Sequence, residues 1–188
     1  MYKRQELYSR WFQFSAFTPV FRAHGTNVPR EVWQFGEKGT SYYDNQVKYI
    51  HLRYRLLPYV YSMSHQVTAN NYTLLRGLAM DFTTDTRTFD IDNAYMFGTS
   101  LLVRPVFHPQ SEEKNISVYL PEHNGGYWYD FWTGKAFEGG REQMQANTLD
   151  ILPLHVKAGS ILPLAEVKQY AMEYPDRELE LRIYGGAD

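Results

Sequence analysis

The chain has 188 residues, of which 44% are hydrophobic and 21% are charged, and its formal net charge is −2. This length fits one domain or parts of two. Charges of both signs without a basic stripe exclude nucleic acid and an anionic membrane surface as expected partners. The absence of cysteine excludes a disulfide framework, a thiol nucleophile and a thiolate metal site.

The histidines and the apolar runs exclude further classes. The six histidines have no closely paired spacing of the kind that binds zinc. The sequence contains no run of about 18 apolar residues, so no membrane span is predicted. We therefore expect no metal and no cofactor. The aromatic content of 16% fits a carbohydrate-active protein, because aromatic faces stack on sugar rings, although tyrosine is equally common in protein cores.

Residues 2–17 are predicted to form a short helix, because apolar residues are spaced to share one face: Leu7, Trp11, Phe12 and Phe14. Thr18 and Pro19 end it, since the residue before a proline avoids the α region. Residues 20–22 then predict a short buried strand, and His24 begins the loop after that strand.

Arg22 and His24 are the candidate binding residues of this first part. In α/β proteins, binding sites are assembled at the carboxyl ends of parallel strands, and these two side chains lie at the end of the predicted strand. Arginine offers a planar fork of five donors, and neutral histidine offers one donor and one acceptor, so the pair suits a hydroxyl-rich or anionic ligand. The alternative interpretation is an ion pair for Arg22 and an ordinary loop position for His24.

The longest predicted helix covers residues 41–69, with a kink at Pro58, which lacks a backbone donor. A spacing of three or four residues predicts its apolar face: Val47, Ile50, Tyr54, Leu57 and Tyr61. We expect this face to pack against a sheet rather than to bind a ligand. A compact strand is predicted next, over residues 74–78.

From Tyr95 onward the pattern changes to short β-rich runs separated by Gly, Pro, Asn and Asp, which is typical of an antiparallel sandwich. The boundary is expected near residues 93–98. The runs are 101–103, 116–120, 127–129, 151–152 with 154–156, and 161–162. Trp128 and Trp132 are interpreted as core residues, with sugar stacking as the alternative. Residues 178–184 alternate polar and apolar and predict a half-buried strand.

Several blocks of this sequence resemble, in order, those of glycoside hydrolase family 31, which contains α-glucosidases and α-xylosidases. The first block, ELYSRWFQFSAFTPVFRAHG, resembles the segment that enters the seventh strand of the family's (β/α)8 barrel. The other blocks are VPREVWQFG, LRYRLLPYVY, DNAYMFGTSLLVRPV, WYDFWTGK, LPLHVKAGSILPL and LELRIYGGAD. Together they leave little of the chain uncovered.

The resemblance implies an α/β plus all-β fold in three parts. Residues 1–94 would be the last β/α units of a (β/α)8 catalytic barrel, with the eighth barrel strand at residues 74–78. Residues 95–168 would form an antiparallel β-sandwich. Residues 169–188 would be the truncated start of a distal β-domain.

The resemblance also implies an activity. Members of the family are retaining α-glycoside hydrolases with two catalytic aspartates on earlier barrel strands, and neither motif occurs here. His24 matches the family's histidine that hydrogen-bonds sugar hydroxyls, and Arg22 matches the arginine two residues before it. Asp90 and Asp92 are two carboxylates of the kind that form the catalytic pair of a glycosidase. They match a region of the family before the YMFG block, however, so we interpret them as loop residues.

The expected parent protein cleaves terminal α-linked xylosyl or glucosyl residues from oligosaccharides. The residues of the first two blocks favour an α-xylosidase. This chain would be an inactive C-terminal fragment that lacks both catalytic aspartates. Its expected partners are the oligosaccharide and the missing N-terminal part of the barrel. The alternatives are a non-catalytic carbohydrate-binding or structural β-sandwich module, and a fragment that serves only as an interaction surface.

Overall fold

The computed structural model describes residues 2–124, 126–175 and 178–186, except for the side chains of residues 2–4. Helices dominate up to about residue 70, and antiparallel strands follow. The described α-helices are α1 (Tyr2–Ser15), α2 (Ser41–Arg55), α3 (Leu57–Asn70) and α4 (Leu78–Asp81). Short 3-10 helices cover Val32–Gln34 and Thr86–Asp90.

The first predicted helix is confirmed as α1, but its buried face is not the predicted one. Phe12 is buried, whereas three other residues of the predicted face are 50%, 62% and 37% exposed: Leu7, Trp11 and Phe14. The buried face is completed by polar residues that include Arg10 and Gln13. Polar side chains are buried where they find hydrogen-bond partners, and an apolar pattern does not register such positions.

The predicted strand at residues 20–22 is wrong, because these residues belong to an irregular loop. Val20 is exposed rather than buried. A strand needs a neighbour to pair its backbone N–H and C=O groups, and no strand of the described chain pairs with this segment. Arg22 and His24 are therefore loop residues and do not extend from a strand end.

The helix predicted over residues 41–69 is present as two helices, and the break falls at Leu56. Pro58 lies in the first turn of α3, where its missing N–H has no intrahelical partner to lose. The predicted apolar face is wrong, since Tyr61 is exposed, and the buried stripe is Tyr49, Leu52, Leu56 and Tyr59. Asn45 and Gln46 extend this stripe, and their polarity concealed it from the sequence pattern.

The described strands all pair antiparallel with their neighbours. They are β1 (Leu75–Gly77), β2 (Tyr95–Phe97), β3 (Leu101–Val103), β4 (Asn115–Leu120), β5 (Tyr127–Asp130), β6 (Ala136–Glu138), β7 (Arg141–Ala146), β8 (Leu154–Lys157), β9 (Ile161–Leu164) and β10 (Glu180–Ile183). Six strands form one sheet in the order β1-β2-β3-β8-β5-β6, while β4 pairs with β7 and β9 pairs with β10.

Strand β1 differs from the expected eighth barrel strand. Only three residues of the predicted run form it, and Arg76 lies opposite Met96 of β2 in an antiparallel pair. Strands of a (β/α)8 barrel run parallel. Within the described residues β1 pairs with β2, which satisfies the backbone groups along one edge of β1. Residues on both sides of position 94 therefore share one sheet.

Residues 141–146 and 178–184 illustrate two other outcomes. Strand β7 has the mostly polar sequence REQMQA, so no apolar alternation predicted it, and its pairing with β4 defines it. A strand is present at Glu180–Ile183 within the predicted range 178–184, where it pairs with β9, but the predicted half-burial is wrong, since Leu181 and Ile183 are exposed. Asp176, Arg177, Ala187 and Asp188 of the expected distal domain lie outside the described residues. The division into 1–94, 95–168 and 169–188 stays a prediction.

Polar contacts join the helices to residues 147–152, a segment that we call the strap. The strap leads into β8. Nη2 of Arg10 donates to Oδ1 of Asn147 at 2.6 Å, and the carbonyl oxygen of Leu149 accepts from Gln13 at 2.6 Å and from Asn45 at 2.8 Å. Because all these groups are buried or partly buried, they hold α1 and α2 against the β part of the chain.

Candidate functional site

Arg22 and His24 lie close together in the loop that follows α1. Both side chains are exposed, and Nη2 of Arg22 lies 3.0 Å from Nδ1 of His24. A guanidinium only donates hydrogen bonds, so Nδ1 accepts, and the proton of the neutral imidazole is then on Nε2. The pair can therefore present several N–H donors to a ligand. Its role in substrate binding stays a prediction.

A cavity of about 230 Å³ opens beside this pair. It is lined by aromatic side chains and a few polar ones: Tyr8, Trp11, Phe12, Ser15, Phe21, Arg22, Ala23, His24 and Arg30. A mostly apolar wall with a few convergent polar groups is typical of small-molecule sites. Tyr8, Trp11 and Ser15 were not among the predicted site residues. Their helical spacing, which places them on one face of α1 towards the loop, is the signal that would have found them.

The loop has a fixed path beside the cavity. It folds back at Gly25, where a Cβ atom would lie 2.3 Å from the carbonyl oxygen of Val28. Oη of Tyr8 donates to the carbonyl oxygen of Arg30 at 2.7 Å, and the Tyr8 ring stacks on Phe35 at 3.6 Å. Burial raises the pKa of the Tyr8 phenol above its ordinary value, so the phenol remains a donor.

The lining of the cavity can bind and orient a ligand but offers no carboxylate. None of the described residues that line it is an aspartate or a glutamate. Asp90 and Asp92 are exposed and neither lines this cavity; Asp92 instead lines another cavity beside α1. The structure therefore does not place them against the predicted binding residues. Within the described ranges, no group of three or more histidine, cysteine or acidic residues could hold a metal ion. No helix in those ranges is long and apolar enough to cross a membrane.

The two tryptophans of the β part occupy different environments. Trp128 is fully buried and donates from Nε1 to the carbonyl oxygen of Pro121 at 2.8 Å, which confirms its interpretation as a core residue. Trp132 is half-buried and donates from Nε1 to the carbonyl oxygen of Leu152 at 2.8 Å. Nζ of Lys48 lies 4.4 Å from the centre of the Trp132 ring and covers part of it. Trp128 offers no face for stacking on a sugar.

Two family models match the chain. The model described as the glycosyl hydrolases family 31 TIM-barrel domain matches residues 2–63. The model described as the glycosyl hydrolase family 31 C-terminal domain matches residues 71–162. The matched ranges correspond to the helical part and to most of the β part of the structure.

Known relatives agree with these matches. The α-xylosidase of Saccharolobus solfataricus is 46% identical over 182 residues, which are 96% of this chain and 24% of that protein. The crystal structure of a GH31 α-xylosidase from Xanthomonas citri has a TM-score of 0.90 at 40% identity, covering 97% of this chain and 20% of that one. A GH31 dextranase variant of Flavobacterium johnsoniae complexed with isomaltotriose has a TM-score of 0.87 at 34% identity, covering 97% and 22%.

The chain thus spans between a fifth and a quarter of the length of these proteins. Both matched models describe domains of one family, and their order along the chain is barrel first and C-terminal domain second. This chain belongs to glycosyl hydrolase family 31, and it comprises part of the TIM-barrel domain followed by the C-terminal domain.

Proposed function

We propose that this chain is part of a retaining α-glycoside hydrolase that removes a terminal α-linked xylosyl or glucosyl residue from an oligosaccharide. In this proposal the chain supplies the substrate-binding residues His24 and Arg22, and no catalytic residue, metal or cofactor. The observation that carries the proposal is the hydrogen-bonded Arg22–His24 pair on the wall of an aromatic cavity. The resemblance to the family predicts a sugar-binding histidine at position 24.

The geometry of the pair supports separate roles for the two residues. Arg22 donates to Nδ1 of His24 and so favours the tautomer that carries its proton on Nε2. That N–H is then free to donate to a sugar hydroxyl. Arg22 acts mainly by orienting the imidazole. In catalytic and metal-binding histidines, the group that is hydrogen-bonded to the other ring nitrogen has the same effect.

The two catalytic carboxyl groups are expected from the part of the enzyme outside this chain. Retaining glycosidases need a nucleophile and an acid/base about 5–5.5 Å apart across one sugar. The described lining of the cavity includes no carboxylate. We therefore expect the chain to be inactive alone and to contribute binding energy when the barrel is complete.

Similarity to known enzymes supports the choice of sugars. Two of the similar proteins, at 46% and 40% identity, are α-xylosidases. The similar dextranase, at 34% identity, was solved with isomaltotriose. The xylosyl unit is therefore the first substrate to test and the glucosyl unit the second.

The proposal includes a finer description of the fold. Residues 1–94 would be the last units of the (β/α)8 barrel, residues 95–168 an antiparallel β-sandwich, and residues 169–188 the start of a distal β-domain. The sandwich is supported by the packing of the β4–β7 pair and the six-stranded sheet into one apolar core. Members of this core from the two sheets are Ile116, Val118, Leu120, Leu102, Trp128 and Leu154.

The remaining part of the barrel is the proposed protein partner, and the exposed residues Leu7, Trp11 and Phe14 support it. We call these residues the α1 stripe, since they lie on one side of that helix. Two apolar cavities, of about 380 and 340 Å³, open beside the stripe and are both lined by Leu7 and Phe107. Exposed apolar surface of this kind marks a protein interface.

The α1 stripe can be tested by solubility and complementation. Phe14→Lys is expected to raise the soluble yield of the isolated chain and to prevent its assembly with an upstream barrel segment. Met144→Lys is the matched control, because Met144 is also exposed but lies on β7 in the C-terminal domain. Assembly of Phe14→Lys as efficient as that of Met144→Lys would contradict the proposed partner surface.

The activity is tested by hydrolysis of p-nitrophenyl α-D-xyloside and α-D-glucoside. The 188-residue chain is assayed alone and after addition of an upstream barrel segment that carries the two aspartates. We expect activity only from the assembled enzyme. Removing the hydrogen bond from His24 in the assembled enzyme should cost about 1–3 kcal/mol, so His24→Ala should lower kcat/KM by about 5- to 150-fold.

The matched control is His65→Ala, since His65 is exposed on α3 and does not line the cavity. Activity of the chain alone would contradict the assignment of the carboxyl groups to another segment. Equal activity of His24→Ala and His65→Ala would contradict the binding role of His24. The alternative function, a non-catalytic carbohydrate-binding module, would be favoured by oligosaccharide binding to the isolated chain that His24→Ala leaves unchanged.

A further inference from the structure

Residues 16–19 run from the end of α1 into the loop that carries the Arg22–His24 pair, and we call them the lead-in segment. Carbonyl groups that follow the last turn of a helix lie outside its ladder of hydrogen bonds and need partners elsewhere. Here the carbonyl oxygens of all four residues of the lead-in segment accept hydrogen bonds from side chains elsewhere in the fold. A backbone satisfied in this way has its path fixed by the side chains that bind it.

Arg53 of α2 supplies three of these four hydrogen bonds. Its Nη1 donates to the carbonyl oxygens of Ala16 at 3.0 Å and Thr18 at 2.7 Å, and its Nη2 donates to that of Pro19 at 3.1 Å. Burial lowers the pKa of Arg53 from its ordinary value, but arginine keeps its charge in proteins. The planar guanidinium is rigid, so one side chain bonded to three carbonyl groups fixes their relative positions.

Tyr95 of β2 supplies the fourth hydrogen bond. Its Oη donates to the carbonyl oxygen of Phe17 at 2.9 Å, and its ring meets Phe14 edge-on at 5.9 Å. Phe17 itself is fully buried, and its ring meets Phe97 edge-on at 6.1 Å. Burial raises the pKa of Tyr95 above its ordinary value, so the phenol stays protonated and able to donate.

We propose that Arg53 and Tyr95 are positioning residues that set the place of the Arg22–His24 pair by holding the lead-in segment. This inference rests on the proposed function, in which that pair binds the sugar. Tyr95 lies in the range matched by the C-terminal domain model, whereas Arg53 lies in the range matched by the barrel model. The C-terminal domain therefore takes part in shaping the sugar site through Tyr95, which does not itself line the cavity.

The first test is the rate at which trypsin cleaves the 188-residue chain after Arg22. Arg53→Met keeps most of the apolar stem but removes the donors, and should speed this cleavage about tenfold, because proteolysis follows the population of the locally open loop. Tyr95→Phe removes one donor and should speed it about threefold. Cleavage after Arg141 on β7 serves as the internal reference, since global unfolding would accelerate both cleavages.

Arg55→Met is the matched control for this test. Arg55 lies two residues further along the same helix, and its head group pairs with Glu180 rather than with the lead-in segment. We expect Arg55→Met to leave the ratio of cleavage at Arg22 to cleavage at Arg141 unchanged. An equal ratio in Arg53→Met and Arg55→Met would overturn the positioning role.

The second test is a double-mutant cycle in the assembled enzyme, with kcat/KM for the p-nitrophenyl glycoside as its readout. If Arg53 acts through His24, Arg53→Met should lower kcat/KM about tenfold when His24 is present and less than about twofold in the His24→Ala background. Equal losses in both backgrounds would overturn the inference. A His24→Ala variant with full activity would contradict the proposed function instead, and the trypsin ratio would still decide whether Arg53 holds the loop.

Discussion

The backbone N–H of Leu152 donates a hydrogen bond to the phenol oxygen of Tyr49 at 2.7 Å, and both residues are completely buried. The same phenol oxygen lies 3.5 Å from the carbonyl oxygen of Asp150. Tyr49 belongs to α2 and Leu152 to the strap, so this contact joins the barrel part to the C-terminal domain. Burial raises the pKa of Tyr49 well above its ordinary value, which keeps the phenol neutral.

Tyr49→Phe is expected to destabilise the chain while preserving its ring packing. The substitution leaves the buried N–H of Leu152 without its acceptor, which costs about 1–3 kcal/mol. Urea unfolding measures the loss as a lower midpoint at an unchanged slope. Tyr61→Phe is the control, since Tyr61 is 82% exposed, and its midpoint should equal that of the wild type. Equal midpoints for both variants would show that the Tyr49–Leu152 contact does not stabilise the fold.

Arg10 makes a second contact to the strap, and its removal should cost more. Its guanidinium donates to Oδ1 of Asn147 at 2.6 Å and to the carbonyl oxygen of Thr148 at 2.9 Å. Arg10→Met leaves one buried and one partly buried acceptor unpaired, so we expect a loss of about 2–4 kcal/mol in the free energy of unfolding. Arg141→Met removes an exposed ion pair with Glu138 and should change it by less than about 1 kcal/mol. Similar losses in the two variants would contradict the role of Arg10.

The elements of this fold could be predicted from the sequence where the pattern was local. Helix α1, strand β3 and strand β4 were found because their own residues carry the apolar spacing. The buried face of α2 was misplaced because Asn45 is buried through its hydrogen bonds to Gln13 and the strap, which lie 32 and 104 residues away. Strand β7 was not predicted because its pairing with β4 makes it a strand, whereas its own side chains show no apolar alternation.

The candidate site divides in the same way. Arg22 and His24 could be proposed from the sequence because they are two residues apart and carry the relevant chemistry, and their binding role stays a prediction. The hydrogen bond from Tyr8 to Arg30 spans 22 residues, and those from Arg53 to the lead-in segment span 34 to 37 residues, so no local pattern contains them. The predicted strand at residues 20–22 failed because a strand depends on a neighbour, which sequence spacing does not supply.

The burial of His155 on β8 leads us to expect that the free energy of unfolding falls in acid. His155 is 2% exposed, and its Nδ1 has no hydrogen-bond partner among the described residues. Burial lowers its pKa to about 4, and the opposing effect of the nearby Asp130 carboxylate is the smaller of the two. The unfolded chain binds a proton at His155 near pH 6.5 and the folded chain only near pH 4. Stability from the neutral histidine is therefore complete above pH 6.5 and is lost as the pH falls towards 4.

The size of this effect follows from the shift in pKa. A difference of one unit corresponds to about 1.4 kcal/mol, so His155 should contribute about 3 kcal/mol of acid sensitivity. Urea unfolding of the wild type and of His155→Gln, which cannot titrate, should be compared at intervals between pH 7 and 4. The difference in stability between the two should shrink or reverse as the pH falls. A constant difference over this range would show that His155 does not titrate as proposed.

Gly98 and Gly134 share a backbone conformation that favours glycine but differ in the space available for a side chain. Both have positive φ angles, of 64° and 72°. A Cβ atom at Gly98 would lie 2.3 Å from Oη of Tyr59, whereas one at Gly134 would meet no atom within 4 Å. Tyr59 is buried, donates to the carbonyl oxygen of Phe97 at 2.8 Å and accepts from the N–H of Ser100 at 3.1 Å, so it cannot move without losing both bonds.

Gly134→Ala should therefore cost only the conformational penalty of about 1 kcal/mol, and Gly98→Ala should cost about 3 kcal/mol or more, because the clash adds to that penalty. Urea unfolding measures both. Tyr59→Phe removes Oη of Tyr59, the nearest of three atoms that the new methyl group would strike, while Cγ of Met63 at 2.8 Å and Cζ of residue 59 at 2.9 Å remain. The double variant Gly98→Ala/Tyr59→Phe should still be more stable than the sum of the single losses indicates, because the shortest contact is gone. Strict additivity of the two losses would mean that the phenol oxygen of Tyr59 adds nothing to the cost of a methyl group at Gly98.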